Sequence, residues 1–298
     1  MRGPVVTGLT RVFAAAVLAV LIVLAGAAPG AQTARPTVVS LVPALTEMLF
    51  AIGAGPQVIG VSSYDDHPPE VARLPRMGAL LDPNTEHILA ARPGLVLTYG
   101  SQKDLQTQLR RAGIGVFDYR HAGLAGIFAA LRDLGAATGH AAEAERVARG
   151  IEQRLATVRS KTAGLKRPKT LLVMGRETLT LRNLNASGGV GFLQEVLEIA
   201  GGVNVFADVH REAVSVSNEM LLSRAPEAVI DLHYGASEPA DRARAQKELA
   251  VWQTVSSVPA VRRKRVLPLY GDQFVVPGPR IAQAAEEIAR ALHPEAFK

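Results

Sequence analysis

Short apolar runs alternate along the chain with stretches in which apolar residues recur every three or four positions. Thr37-Val38-Val39-Ser40-Leu41-Val42 reads as a strand, because so brief a continuous apolar run is too short for a buried helix. Thr46 to Ile52 carries helical spacing and stops at Gly53, where glycine ends a helix by taking positive φ. Val58 to Ser62, Leu95 to Thr98 and Val116 to Tyr119 repeat the strand pattern. Strands separated by helices of about 10 to 15 residues predict βαβ units and a parallel sheet.

The alternation breaks between Gly139 and Lys166. No strand pattern occurs there, and Ala144, Val147, Ile151, Leu155 and Val158 recur at helical spacing among Ala, Glu and Arg residues that favour helix. A helix of roughly 24 residues reaches roughly 36 Å, enough to bridge two lobes. Lys166-Arg167-Pro168 closes it, and Thr170 to Met174 opens a second α/β series. The predicted fold is therefore α/β, two Rossmann-like lobes bridged by one long helix. Residues 32–138 form the first lobe, 139–167 the bridge and 168–298 the second lobe.

The two halves echo each other. Asn84-Thr85-Glu86-His87-Ile88-Leu89 leads through Pro93 to the strand at Leu95, and Ser217-Asn218-Glu219-Met220-Leu221-Leu222 leads through Pro226 to Ala228-Val229-Ile230. Thr46-Glu47-Met48-Leu49 before Gly53 matches Gln194-Glu195-Val196-Leu197 before Gly201. Two similar lobes imply a cleft between them as the ligand site.

Composition then sets the compartment. Arg2 and Arg11 precede an apolar run from Val12 to Leu24 and the small-residue stretch Ala25 to Ala31. This is the secretory signal pattern, and the run is shorter than the roughly 20 residues needed to span a bilayer. Residues 1–31 are expected to be a cleaved signal peptide, leaving a soluble chain that begins near Gln32. The sequence has no cysteine, which excludes disulfides, thiolate metal sites, a cysteine nucleophile and a lipid anchor on cysteine. A free secreted protein points to a Gram-negative periplasm. The net charge of +6 arises from scattered arginines. The cluster Arg262-Arg263-Lys264-Arg265 has no interleaved aromatics, so it reads as a solvated turn and nucleic acid is not an expected partner.

Candidate chemistry concentrates after the second strand, in Gly60-Val61-Ser62-Ser63-Tyr64-Asp65-Asp66-His67-Pro68-Pro69. Ligands of open α/β sheets bind at that edge. Tyr64 offers a flat ring with a hydroxyl, and His67 an imidazole able to coordinate a metal. Ser187-Gly188-Gly189-Val190-Gly191 lacks the residues of a nucleotide loop and reads as a tight connection. The remaining histidines show no metal-ligand spacing, and neither a nucleophile elbow nor a His-Glu-x-x-His pair is present. A secreted α/β hydrolase, its triad assembled only by folding, is the alternative from another class. Glu86 and Glu219 each fall in the first turn of a predicted helix, where the helix dipole favours a carboxylate. Their matched register suggests two acidic knobs for a symmetric membrane partner.

These residues resemble a known family. Gly60 to Tyr64 with Pro68-Pro69, Asn84 to Glu86, Glu198-Ile199-Ala200-Gly201-Gly202-Val203-Asn204-Val205-Phe206, Ser217 to Glu219 and Pro279-Arg280-Ile281 are similar to the periplasmic vitamin B12-binding proteins. More broadly they resemble metal-chelate receptors built on a single backbone helix. The resemblance implies a non-enzymatic substrate-binding protein of an ABC importer. Such a protein works as a monomer, holds no covalent cofactor, and delivers a cobalamin-like chelate to an inner-membrane permease with only modest closure of its lobes. It places Tyr64, Leu80, Asn185, Asp272 and Phe274 against the ligand and Glu86 and Glu219 on the permease. Leu80, Ala213 and Gln273 stand where the family carries cleft tryptophans, which thins the apolar platform. His67 stands where haem receptors of the class place an axial tyrosine, so haem is the first alternative ligand. A ferric siderophore follows, with Arg182 as the one basic candidate.

Overall fold

The computed structural model describes residues 35–234 and 242–298, without the side chains of 242–245. The signal peptide expected over residues 1–31 lies outside the described residues. The first sheet has the order β2-β1-β3-β4, formed by β1 (Val38–Ser40), β2 (Val58–Val61), β3 (Leu95–Tyr99) and β4 (Gly115–Tyr119), all parallel. Every residue of β1 is buried, as expected of a strand covered on both faces. The period of two divides its side chains. Val39 joins Met77, Ile88 and Leu109 on the outer face, while Val38 joins the central core. Between the strands run α1 (Pro43–Ala51), α2 (Thr85–Ala91) and α3 (Lys103–Arg111), and α4 (Gly123–Thr138) follows β4.

The bridge is α5 (Ala141–Thr162), 22 residues and about 33 Å long. It is shorter at both ends than the predicted 139–167 segment. Gly139 adopts φ 74° as the left-handed end of α4, and Gly164 turns at φ 77° beyond Thr162. Of the predicted stripe, Ala144, Ile151, Leu155 and Val158 are buried and Val147 is half-buried, with Ala148 also enclosed.

The second sheet is mixed. It contains β5 (Lys169–Gly175), β6 (Asn185–Ser187), β7 (Val203–Asn204), β8 (Ala213–Ser215), β9 (Ala228–His233) and β10 (Val266–Tyr270). The order is β10-β9-β5-β6-β8, and β7 also pairs with β5. Strands β10, β9 and β5 are parallel, whereas β5-β6 and β6-β8 are antiparallel. The link from Gly175 to Asn185 holds no helix, and a parallel return requires a crossover of a dozen or more residues. The chain must fold back on itself. Helices α6 (Phe192–Ile199), α7 (Asn218–Arg224), α8 (Arg242–Ala250), α9 (Pro259–Arg262) and α10 (Ile281–Leu292) complete the order. The run at Gly188-Gly189 serves close backbone packing, since a Cβ at Gly188 would fall 2.0 Å from the Arg211 carbonyl oxygen.

Helix α5 packs on α4, α6 and α10. One apolar core runs from Val38 and Leu45 through Ile151 and Leu155 to Leu172, Ile230 and Ile288, and Pro36–Lys298 forms one compact unit. A core shared by both sheets should unfold once. Ile151→Ala is expected to lower stability by about 2–5 kcal/mol. Urea transitions followed by far-UV circular dichroism and by Trp252 fluorescence should coincide; two separated transitions would refute the shared core.

Candidate functional site

Beyond β2 the chain leaves the sheet edge through a tightly tied loop. The Ser62 amide donates to Asp65 Oδ2 at 2.7 Å, and the Tyr64 amide donates to Ser62 Oγ at 3.1 Å. Arg76 Nη1 donates to the Ser62 and Asp65 carbonyls at 3.0 and 2.6 Å. Asp65 is thereby turned inward, while Tyr64, Asp66 and His67 stay exposed. In the second sheet, β9 is followed by Tyr234, and β10 by a 3₁₀ turn over Asp272–Phe274. The two edges face one cavity of about 280 Å³. Tyr64, Asp66 and His67 line it from one side and Tyr234, Asp272, Val275 and Val276 from the other.

Its floor is an ion pair between lobes. Arg280, just before α10, donates from Nε to Glu47 Oε2 at 2.9 Å and from Nη2 to Glu47 Oε1. The planar guanidinium matches the carboxylate bidentately, and the Glu47 side chain is almost wholly enclosed. The matching residue of the other half makes the reverse contact. The Leu124 amide, in the first turn of α4, donates to both Glu195 carboxylate oxygens at 3.3 Å. Gly123, at φ 44°, permits this, since a Cβ there would lie 2.2 Å from Glu195 Oε1. The second sequence echo, Glu47 and Glu195, is thus a pair of interlobe clasps.

Beside the cleft, Tyr234 also walls a cavity of about 180 Å³ with Arg176, Asp231, His233 and Glu248. Arg176 donates to Asp231 Oδ2 (2.9 Å) and to Glu248 Oε2 (2.8 Å), and the Trp252 indole donates to Asp231 Oδ2 (3.0 Å). Burial pushes the Asp231 carboxyl up, but the His233 ring 3.5 Å away and the hydrogen bonds from Arg176 hold it below the usual range. Trp252 is completely buried and serves this network.

Tyr64, His67 and Asp272 therefore share one cavity, and Leu80, Asn185 and Phe274 do not line it. The Phe274 expectation is corrected. Its ring is fully buried in the central core because the 3₁₀ turn points Gln273 and Phe274 inward and leaves Asp272 at the cleft. Asn185 sits on β6, where the Ser215 hydroxyl donates to its Oδ1 at 3.2 Å. Leu80 lies in the loop whose carbonyl takes the Gln102 amide at 3.1 Å. Tyr234 was not foreseen. Its only signal is a tyrosine at the end of a strand, the placement that marks Tyr64. Among the described residues no group of three or more His, Asp or Glu side chains could hold a bare metal ion.

The sequence matches the periplasmic binding protein family over residues 38–271. The chain belongs to that family. Its members are solute-binding proteins, which displaces the hydrolase alternative. The vitamin B12-binding protein of Salmonella paratyphi A is 31% identical over 261 residues, 87% of this chain and 91% of that protein. The periplasmic vitamin B12-binding protein of Vibrio cholerae superposes with a TM-score of 0.72 at 25% identity, covering 89% of this chain and 99% of that one. A periplasmic haem-binding protein of Pseudomonas aeruginosa gives 0.74 at 25% identity, over 87% and 93%.

On this family scaffold the first echo is structural as well. Helices α2 and α7 are each capped by a side chain, Asn84 accepting from the His87 amide and Ser217 from the Met220 amide. Each ends at a left-handed residue, Arg92 or Ala225, before proline. Glu86 and Glu219 occupy the same exposed first-turn position.

Behind the Tyr64 loop, Asp65 is 1% exposed and its Oδ1 has no hydrogen-bond partner among the described residues. The neighbouring Thr46 hydroxyl instead donates to Ser40 Oγ at 2.8 Å. Burial raises the Asp65 carboxyl from 3.8 to about 7, and Glu47 adds to the rise against the pull of Thr46, the Ser62 amide and Arg76. The folded protein then holds this proton to higher pH than the unfolded chain does. Its stabilising contribution is complete below about pH 4 and is lost as pH rises through about 7. Asp65→Asn should abolish that loss, leaving the variant up to about 4 kcal/mol more stable than wild type at pH 8 and no more stable at pH 4. Urea midpoints across this range test it, and parallel pH profiles would refute it.

Proposed function

We propose that this chain is the substrate-binding protein of an ABC importer. It is secreted through a cleaved signal peptide over residues 1–31 and acts as a periplasmic monomer. It captures a cobalamin-like chelate between lobes 32–138 and 168–298 and delivers it to an inner-membrane permease. The observation that carries the ligand class is an acidic cleft on a basic protein. Glu47, Asp66 and Asp272 line the cavity with Arg280 as the one guanidinium, and Asp231 and Glu248 line its neighbour beside Arg176, while the chain carries a net +6. At the cleft the exposed Asp66 and the half-buried Asp272 repel the propionates of haem and anionic ferric siderophores, and they accept hydrogen bonds from the amide fringe of a corrinoid. The 31% identity to a vitamin B12-binding protein supports the same reading. His67 in the cavity wall is the observation that favours haem, as an axial imidazole to a chelated iron.

A cavity of about 280 Å³ is small against the usual range of about 300–1,000 Å³. The ligand therefore spans neighbouring hollows and keeps one face in solvent. Mass spectrometry of protein recovered from the native periplasm should find an N-terminus near Gln32 and a bound corrinoid. Recovery with haem alone would replace the ligand, and an intact Met1 in the membrane fraction would refute secretion.

Glu86 and Glu219 are proposed to seat on basic sockets of the permease, one per lobe. Exposed charge pairs act on association and leave the distant cleft untouched. Glu86→Arg and Glu219→Arg should keep folding and ligand affinity, cut uptake in proteoliposomes, and cut it further together. Salt should weaken the wild-type complex, because exposed charges are screened over about 8–10 Å. Loss of ligand binding in either variant would remove the docking role.

A further inference from the structure

We propose that Tyr234 is the specificity-determining aromatic wall of the second lobe, closing with Tyr64 as a two-sided clamp on the flat face of the ligand. The inference rests on the cleft-binding reading above and adds a residue that reading does not contain. Three observations lead to it.

First, Tyr64 and Tyr234 are 73% and 56% exposed, whereas the large aromatics Phe206, Trp252 and Phe274 of the same molecule are completely buried. A tyrosine ring left in solvent forgoes the stabilisation of burial, which for a large apolar side chain is about 1.5–3 kcal/mol. Two such rings, one per lobe, line the same cavity.

Second, their places in the fold correspond. Tyr64 follows β2 and Tyr234 follows β9, each at the carboxyl edge of a parallel strand, where open α/β sheets bind ligands. Tyr64 is presented by the loop tied through Ser62, Asp65 and Arg76. Tyr234 is presented by a strand end braced by His233, whose ring stacks on Tyr270 with centroids 5.0 Å apart. Gly175 at the end of neighbouring β5 lies beside the Tyr234 ring, where a Cβ would meet the hydroxyl at an ordinary contact distance of 3.6 Å.

Third, the cleft has no other six-membered aromatic ring among its described lining residues. Leu80 and Asn185 lie elsewhere and Phe274 faces the core. Stacking on a flat macrocycle needs such a surface, and tyrosine supplies it at low conformational cost while keeping a polar edge toward water. Tyr234 also separates the cleft from the Arg176–Asp231–Glu248 cavity. It therefore decides whether a ligand meets a ring or a charged hollow on that side.

The test is titration of the full mature protein with cyanocobalamin and with haemin, for wild type, Tyr64→Ala, Tyr234→Ala, the double variant and Tyr234→Phe. Each alanine variant should bind the wild type's preferred chelate about tenfold or more weakly. The double variant should be little weaker than either single one, because one wall cannot clamp alone. Tyr234→Phe should stay close to wild type, and thermal midpoints of all five should agree. Wild-type affinity in Tyr234→Ala overturns the clamp and leaves the function reading standing. Strictly additive losses, or a Phe variant as weak as the Ala variant, also overturn it. Failure of the wild type to bind either chelate overturns the function reading, and the clamp with it.

Discussion

The bidentate pair between Glu47 and Arg280 joins the first helix of one lobe to the residue that begins the last helix of the other, 233 positions along the chain. Both side chains are largely withdrawn from water. Removing either partner would strand a buried charge at a cost of about 3–5 kcal/mol, so the pair fixes how the lobes meet. Glu195 reaches the other way, into the first turn of α4, where the helix dipole favours its charge. Both glutamates stand the same distance before a glycine at φ 81°, Gly53 or Gly201. Duplicated local structure has thus become reciprocal contact.

Charge is sorted across the molecule. Basic residues such as Lys103, Arg120 and Lys166 are more than half exposed and pair loosely with Asp118 or Glu227. Ion pairs of that kind contribute little. The enclosed Arg176, held by Asp231 and Glu248, belongs to a different regime. In low dielectric such a network must be fully satisfied to be tolerated, and its geometry then holds the ends of β5 and β9 rigid beside the cleft. Net charge describes the surface of this protein and says little about its site.

The periodicity of the sequence was enough for the parallel strands, for α5 and for both echoes, because each depends on neighbours in the chain. The antiparallel pairing of β6 and β8 was hidden, since strands of only three residues are too short to carry a period of their own. Phe274 shows the limit of matching residues by register. Position along the chain put it beside Asp272, but the direction of a side chain in a 3₁₀ turn is set by which face packs, and Phe274 packs on the core. Tyr234 was missed for the converse reason: nothing in a local window tells an exposed tyrosine from a buried one. The Glu47 motif was legible as a repeat, but its partner Arg280 was not, because an ion pair across so many residues leaves no local trace.

The distance between those partners also bears on how the chain acquires its structure. The central core includes Ile281, Ala285 and Ile288 from α10, packed on α5 and α6. Neither the floor of the cleft nor the seam between the lobes can close until this late helix has arrived. Contacts of such high sequence separation slow folding, because loop closure must precede any gain from packing. A chain emerging from its amino end therefore remains open until nearly all of it has been delivered, a delay that would suit the export proposed above.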